Sequence, residues 1–167
     1  MIRPLEPADL DRVLALNEAN VPEVGAIDRP RLEFLVAESV IALVAVDDVT
    51  GEVVGFCLVL DADSTYDSVN YRWFGERYER FMYLDRVAID ESARGRGLGR
   101  ALYDEVDRRM RELGGATQLA LEVNVDPPNE PSLRFHERLG FVEVGQQDTP
   151  YGIRVSMQIR QIAAAAD

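Results

Sequence analysis

The chain has 167 residues, of which 47% are hydrophobic and 29% are charged, and this suits one globular domain with a full core. Its formal net charge of −12 disfavours binding to nucleic acid or to an anionic membrane. The same charge would favour a cationic partner such as an amine, although solubility explains it more simply. No apolar run reaches the roughly 18 residues of a membrane span, so none is predicted.

The first residues and the cysteine content favour a cytoplasmic protein. The N-terminal sequence MIRPLEPADL lacks an apolar signal region, and the single cysteine, Cys57, cannot form an internal disulfide. All 18 basic residues are arginine, which excludes a catalytic lysine. We expect no bound metal.

The first third of the chain predicts a strand, two helices and a β-hairpin. Pro7 suits a helix start, and Asp28 is a good N-cap for the second helix. The predicted elements are a strand at residues 1–5, helices at 7–19 and 28–36, and hairpin strands at 40–46 and 52–60.

Residues 61–80 have no clean periodicity and are long for a connection in a compact domain. Aromatic side chains are concentrated here and in the start of the next strand: Tyr66, Tyr71, Trp73, Phe74, Tyr78, Phe81 and Tyr83. Aromatic-rich loops often bind ligands, so Tyr71, Trp73 and Phe74 are candidate substrate contacts. Equally, the segment could pack as a second small core or cover a dimer face.

The second half predicts alternating strands and helices. Residues 81–89 alternate as a strand, with Tyr83, Asp85, Val87 and Ile89 on one face and Met82, Leu84, Arg86 and Ala88 on the other. A helix follows at 98–113, a strand at 118–125, a helix at 129–139, and an antiparallel pair at 141–144 and 153–159. Residues 163–167 are predicted to be a frayed tail.

The loop Arg94-Gly95-Arg96-Gly97-Leu98-Gly99 joins the strand at 81–89 to the next helix. Its glycines allow close approach of the backbone to a ligand, and a helix start offers unpaired N–H groups to a phosphate. A P-loop needs a lysine, and a dinucleotide fingerprint needs glycine where Arg100 stands. The pattern R-x-x-G-x-G instead resembles the acyl-CoA-binding motif of the GNAT superfamily, the GCN5-related N-acetyltransferases.

A second stretch, from Asn129 to Phe141, strengthens the resemblance. It is similar to the family's helix N-x-x-(small)-x-x-(apolar)-Tyr-Glu-(basic)-x-Gly-Phe. The resemblance covers essentially the whole chain and implies an α/β (α+β) GNAT-like fold. We therefore expect a central mixed, mostly antiparallel sheet of six to seven strands flanked by about four helices, with residues 1–162 as a single domain.

The resemblance implies an acetyl-CoA-dependent N-acetyltransferase. Such an enzyme transfers an acetyl group to a primary amine of a small molecule or peptide by direct attack in a ternary complex. The resemblance assigns the CoA pyrophosphate to the backbone of Arg94, Gly95, Arg96, Gly97, Leu98, Gly99 and Arg100. It assigns the pantetheine arm to Val87, Ala88 and Ile89, and further CoA contacts to Asn129 and Ser132. Family members are often dimers, so the resemblance also makes a homodimer one of the states expected of this chain.

The catalytic residues are less clearly indicated. His136 stands where many family members have a tyrosine that protonates the thiolate, and it could instead be structural. Tyr83 or solvent are the alternative acids. Asp85 and Glu122 are the candidate bases for the amine, although Asp85 could instead pair with an arginine. The departure at His136 keeps open an inactive acyl-CoA-binding sensor.

Overall fold

The computed structural model describes residues 1–162, so the tail predicted at residues 163–167 lies outside the described residues. Within this range the chain forms seven strands and five α-helices. The strands are β1 (Ile2–Pro4), β2 (Ser39–Val46), β3 (Val53–Asp61), β4 (Phe81–Ile89), β5 (Gln118–Asp126), β6 (Val142–Asp148) and β7 (Arg154–Gln161). The helices are α1 (Leu10–Ala19), α2 (Arg29–Glu38), α3 (Val69–Gly75), α4 (Leu98–Leu113) and α5 (Glu130–Arg138).

The strands form one sheet in the order β1-β2-β3-β4-β5-β7-β6. Neighbouring strands are antiparallel except β4 and β5, which are parallel. The mixed, mostly antiparallel sheet of the predicted fold is therefore confirmed.

Two hydrophobic layers cover the two faces of the sheet. Residues from α1, α2 and α3 pack on one face, with Leu16, Leu35 and Phe74 completely or almost completely buried. Residues from α4 and α5 pack on the other face, where Leu102 and Val106 are fully buried. The sheet thus separates a face covered by the first three helices from a face covered by the last two.

The central strands β4 and β5 separate from each other after a short ladder. They pair only from Phe81 to Tyr83 on β4 and from Gln118 to Ala120 on β5. Beyond this ladder, β4 remains paired with β3 as far as Ile89, and β5 remains paired with β7 as far as Asp126. The facing edges of β4 and β5 therefore border a wedge-shaped gap in the middle of the sheet.

A β-bulge in β4 changes which side chains share a face. Leu58 of β3 opposes Arg86, but the next residue, Val59, opposes Leu84, so Asp85 has no direct partner. Tyr83 and Ala88 consequently lie in the α1–α3 layer, whereas Leu84, Val87 and Ile89 lie in the α4–α5 layer. The predicted simple alternation, with Tyr83, Val87 and Ile89 on one face, is wrong because a bulge shifts the period by one residue.

Two elements differ from those that the sequence pattern predicts. The segment at 61–80 contains the helix α3, which starts after Ser68, whose side chain accepts a hydrogen bond from the Tyr71 N–H. The strand β6 extends to Asp148, into residues expected to form a linker. Among the described residues, no helix combines the length and the apolar character needed to cross a membrane.

Candidate active site

The glycine loop ends directly at the start of α4. Gly95 and Gly97 both have a φ of 76°, in the left-handed region that favours glycine, and Gly97 is the N-cap of α4. A side chain at either position would meet no atom within 4 Å, so the space around these glycines is open. The first N–H groups of α4, at Leu98, Gly99 and Arg100, have no preceding turn to pair with. The loop thus presents backbone donors and a positive helix end to an anion.

The arginine side chains of the loop are held by neighbouring residues. Arg94 donates to Asn20 Oδ1 at 3.0 Å, and Arg96 donates to the Asp47 carboxylate at 2.7 Å. Hydrogen bonds from the Thr50 backbone N–H and, to a smaller extent, from the Arg96 side chain lower the pKa of Asp47. Asp47 therefore stays ionised. With Arg94 and Arg96 engaged in this way, the backbone provides the main donors of this loop.

The start of α4 packs closely against α5. A Cβ added to Gly99 would lie 3.2 Å from Cζ of Phe135, so glycine allows the two helices to approach. Asn129 is the N-cap of α5 and accepts from the Ser132 N–H at 3.3 Å. The open glycine loop before α4 and the separated edges of β4 and β5 are the two features that suit a phosphate-bearing, peptide-like arm.

The carboxylate of Glu122 lies on the α1–α3 face of the gap. Its Oε2 accepts from the Tyr83 hydroxyl at 2.5 Å, and its Oε1 accepts from Asn70 Nδ2 at 3.2 Å. Burial raises the pKa of Glu122 to about 8, against hydrogen bonds that favour the ionised form, and the charge of nearby Asp85 adds to the rise. A carboxyl group with such a pKa can exchange a proton near neutral pH.

The other two candidates on β4 have different partners. Asp85 forms an ion pair with Arg86 Nε at 2.7 Å, and its side chain is 4% exposed. Arg86 also donates to Asn17 Oδ1 and to the Gly25 carbonyl, at 2.9 and 3.0 Å. Tyr83 is fully buried, and burial raises its pKa, so it remains a hydrogen-bond donor. The structure thus favours the ion-pair alternative for Asp85.

His136 is buried on α5 and has a hydrogen-bond partner at each ring nitrogen. Nδ1 lies 2.8 Å from the Ser132 carbonyl oxygen, and Nε2 lies 2.6 Å from the Tyr103 hydroxyl. A neutral ring that donates from Nδ1 and accepts at Nε2 satisfies both contacts. Burial lowers the pKa of His136, which also favours the neutral ring. The geometry favours a structural role.

The aromatic residues proposed as substrate contacts pack mostly inside the protein. Phe74 is fully buried, and Tyr71 is 5% exposed with its hydroxyl donating to the Asp61 carbonyl at 2.6 Å. Trp73 is half-buried and covers Gly145 of β6, where an added Cβ would lie 2.6 Å from its ring. The segment therefore packs into the α1–α3 layer and does not form a separate second small core, and Trp73 keeps only part of its surface accessible.

Of the predicted catalytic residues, the structure brings Tyr83, Asp85 and Glu122 together and places His136 in the opposite layer. Two hydrogen-bond partners are not predicted from the sequence: Asn70 for Glu122, and Tyr103 for His136. No local signal identifies Asn70, because its contacts depend on β5 and on the loop after β6. In the sequence, the one indication of the bulge is that two charged residues, Asp85 and Arg86, are adjacent in an apolar strand.

A family model described as the acetyltransferase (GNAT) family matches residues 11–141. This chain therefore belongs to the GNAT family of acetyltransferases, whose acyl donor is acetyl-CoA. The predicted family, enzyme class and donor are confirmed.

Two curated relatives are similar in sequence. A mycothiol acetyltransferase of Propionibacterium freudenreichii is 32% identical over an alignment of 139 residues, which covers 80% of this chain and 40% of that protein. An N-alpha-acetyltransferase of Sulfurisphaera tokodaii is 27% identical over an alignment of 156 residues, which covers 86% of this chain and 80% of that protein. The chain thus spans less than half of the first relative and most of the second.

Solved structures share the fold. Ard1 from Thermoplasma volcanium has a TM-score of 0.78 at 22% identity, and the match covers 98% of this chain and 97% of that one. Arabidopsis thaliana NAA60 in complex with a bisubstrate analogue has a TM-score of 0.77 at 20% identity, with 99% of each chain covered. At these identities the comparison establishes the fold alone.

Proposed function

We propose that this protein is an N-acetyltransferase that moves an acetyl group from acetyl-CoA to a primary amine by direct attack in a ternary complex. The observation that carries the proposal is the Glu122 carboxylate, held by Tyr83 and Asn70 beside the gap between β4 and β5. Its raised pKa suits a general base for an ammonium group. Donor and acceptor would meet in the gap from opposite faces of the sheet.

For the donor, the backbone N–H groups from Arg94 to Arg100 would bind the CoA pyrophosphate, and the free edge of β4 at Val87–Ile89 would pair with the pantetheine arm. Bound acetyl-CoA supplies an activated acetyl thioester. A main-chain N–H beside the bulge would stabilise the negative charge that develops on the thioester oxygen. Asn129 and Ser132, at the start of α5, would border the same arm.

The proton balance assigns one transfer to Glu122. A C–N bond forms as the C–S bond breaks, and the ammonium nitrogen loses two protons in total. Glu122 takes the first, through a water or directly, and returns it to solvent. The second ends on the departing sulfur of CoA. His136 is neutral and engaged at both nitrogens, so solvent or Tyr83 would deliver this proton.

The pKa of Glu122 also favours an α-amino group as the acceptor. An α-amino group with a pKa of about 7.7–8.0 matches a base with a pKa of about 8, whereas a lysine amine, near 10.4, holds its proton more tightly. The name of the N-alpha-acetyltransferase relative agrees with a peptide α-amine, and the mycothiol acetyltransferase keeps a small-molecule amine as an alternative. The net charge of −12 suits a cationic acceptor of either kind.

The direct experiment is to incubate the protein with acetyl-CoA and a panel of amines and to follow thiol release. The panel would contain peptides with free N-termini, amino-sugar compounds, polyamines and lysine derivatives. We expect the largest kcat/KM for an acceptor with a pKa near 8. If no amine in the panel is acetylated, the proposal is contradicted.

A second candidate is a CoA-binding sensor without turnover. It is favoured by His136, which replaces the tyrosine of the family pattern and has both nitrogens engaged. This alternative predicts tight CoA binding by calorimetry together with no thiol release. Turnover with any amine excludes it.

A further inference from the structure

Asn70 is a buried amide in the α1–α3 layer. It lies on α3 beside Tyr71 and is 3% exposed. Its three hydrogen bonds all go to groups distant in sequence. Nδ2 donates to Glu122 Oε1 at 3.2 Å and to the Tyr151 hydroxyl at 3.1 Å, and Oδ1 accepts from Gln147 Nε2 at 2.9 Å. A buried amide that is satisfied in this way fixes the orientation of the groups that it joins.

Two of these partners belong to the hairpin formed by β6 and β7. Gln147 lies near the end of β6, and Tyr151 lies in the following loop, where the residue is 61% exposed. The loop is closed by Thr149, whose N–H and hydroxyl both donate to the Ile153 carbonyl, at 2.9 and 2.6 Å. A closed turn moves as a unit, so a ligand that contacts Tyr151 would also act on Asn70.

The third partner is the carboxylate of Glu122. Each of its oxygens has one donor, Tyr83 at Oε2 and Asn70 at Oε1. The other charged groups that face it are Asp85 and Arg86 on β4. The Asn70 donor favours the ionised carboxylate, so its loss would make Glu122 harder to deprotonate.

We propose that Asn70 is a positioning residue that couples the loop between β6 and β7 to the general base Glu122. Because Asn70 bonds to both, the position of the loop between β6 and β7 and the position of the Glu122 carboxylate depend on each other. The proposal rests on the proposed function, since it assumes that Glu122 is the base. It adds that the loop between β6 and β7 controls how readily Glu122 ionises.

The test is a carbon NMR titration of the Glu122 carboxyl group in protein labelled at glutamate, with the signal assigned by its absence in Glu122→Gln. We expect Asn70→Ala to move the midpoint of the Glu122 titration to higher pH, and Gln147→Ala to move it in the same direction. Gln146→Ala is the matched control and should leave the titration unchanged, because within residues 1–162 the Gln146 side chain donates only to Glu143. Gln147→Ala also serves if Asn70→Ala does not fold.

A kinetic measurement separates positioning from general loss of structure. We expect kcat/KM of Asn70→Ala to be about fivefold lower than that of the parent protein at pH 7. At pH 9.5, where Glu122 is ionised in both proteins, the ratio should approach one, whereas a merely structural defect would lower the rate at all pH values.

An unchanged Glu122 midpoint in Asn70→Ala or in Gln147→Ala would overturn the inference. The titration needs neither an acceptor nor turnover. It therefore decides the role of Asn70 even if the amine panel shows no acetylation, an outcome that would instead contradict the proposed function.

Discussion

At the scale of single residues, burial shifts the pKa of two catalytic candidates, Glu122 and His136, in opposite directions. It raises the pKa of Glu122 to about 8, which leaves a base that changes charge near neutral pH. It lowers the pKa of His136, which leaves a neutral ring between Ser132 and Tyr103. Similar burial thus supports a chemical role for one residue and a structural role for the other, since only Glu122 borders the gap between the strands.

We expect His136→Phe to destabilise the fold without altering the chemistry. The change leaves the buried Tyr103 hydroxyl without its partner, which costs roughly 1–3 kcal/mol of unfolding free energy. Denaturant unfolding would measure this loss. The double variant His136→Phe/Tyr103→Phe should lose less than the sum of the single variants, because neither polar group then remains unpaired. Thiol release by folded His136→Phe that falls more than tenfold with a changed pH profile would show instead that His136 takes part in the reaction.

At the scale of elements, the loop before α4 is the part best suited to an anion. Gly97 adopts a positive φ in open space, at the N-terminus of a helix of 16 residues. A side chain there would be strained, and a carboxylate there would repel the pyrophosphate.

We therefore expect Gly97→Glu to abolish CoA binding, measured by calorimetry. The matched control is Gly115→Glu beyond the far end of α4, where φ is 84° and a Cβ would meet no atom within 4 Å. The control carries the same charge and comparable backbone strain, and it should bind CoA as the parent protein does. Equal CoA affinity in a folded Gly97→Glu protein would exclude the loop as the pyrophosphate site.

The elements also show what the sequence could and could not predict. The glycine loop at Gly97 and the stretch from Asn129 to Phe141 are local patterns, so the sequence predicts both. The bulge at Asp85 was not predicted, because a bulge depends on pairing with β3. The contact between Asn70 and Glu122 joins residues 52 positions apart, and no periodic pattern encodes it.

At the scale of the whole molecule, the sheet separates two sets of helices, and the gap between β4 and β5 connects them. We infer that the donor lies on the α4–α5 side and the acceptor on the α1–α3 side. A single functional domain at residues 1–162 and a homodimer both stay predictions.

The raised pKa of Glu122 makes global stability depend on pH. Unfolded glutamate ionises near its ordinary pKa of about 4.5, whereas folded Glu122 ionises near 8. Between these values the folded state binds more protons, so this group's contribution to stability falls as pH rises from about 4.5 to 8. We expect Tm to decrease over this window more steeply in the parent protein than in Glu122→Gln. Parallel Tm profiles for the two proteins would show that Glu122 is not held in its neutral form.

The central claim is that Glu122 removes a proton from the acceptor amine. Its most direct test is kcat/KM for thiol release by Glu122→Gln, compared with the parent protein and with Glu137→Gln, which changes an exposed glutamate on α5. We predict a decrease of roughly 100- to 10,000-fold for Glu122→Gln at pH 8, with CoA affinity retained, and no decrease for Glu137→Gln. A Glu122→Gln protein that acetylates the same amine within twofold of the parent rate would contradict the claim.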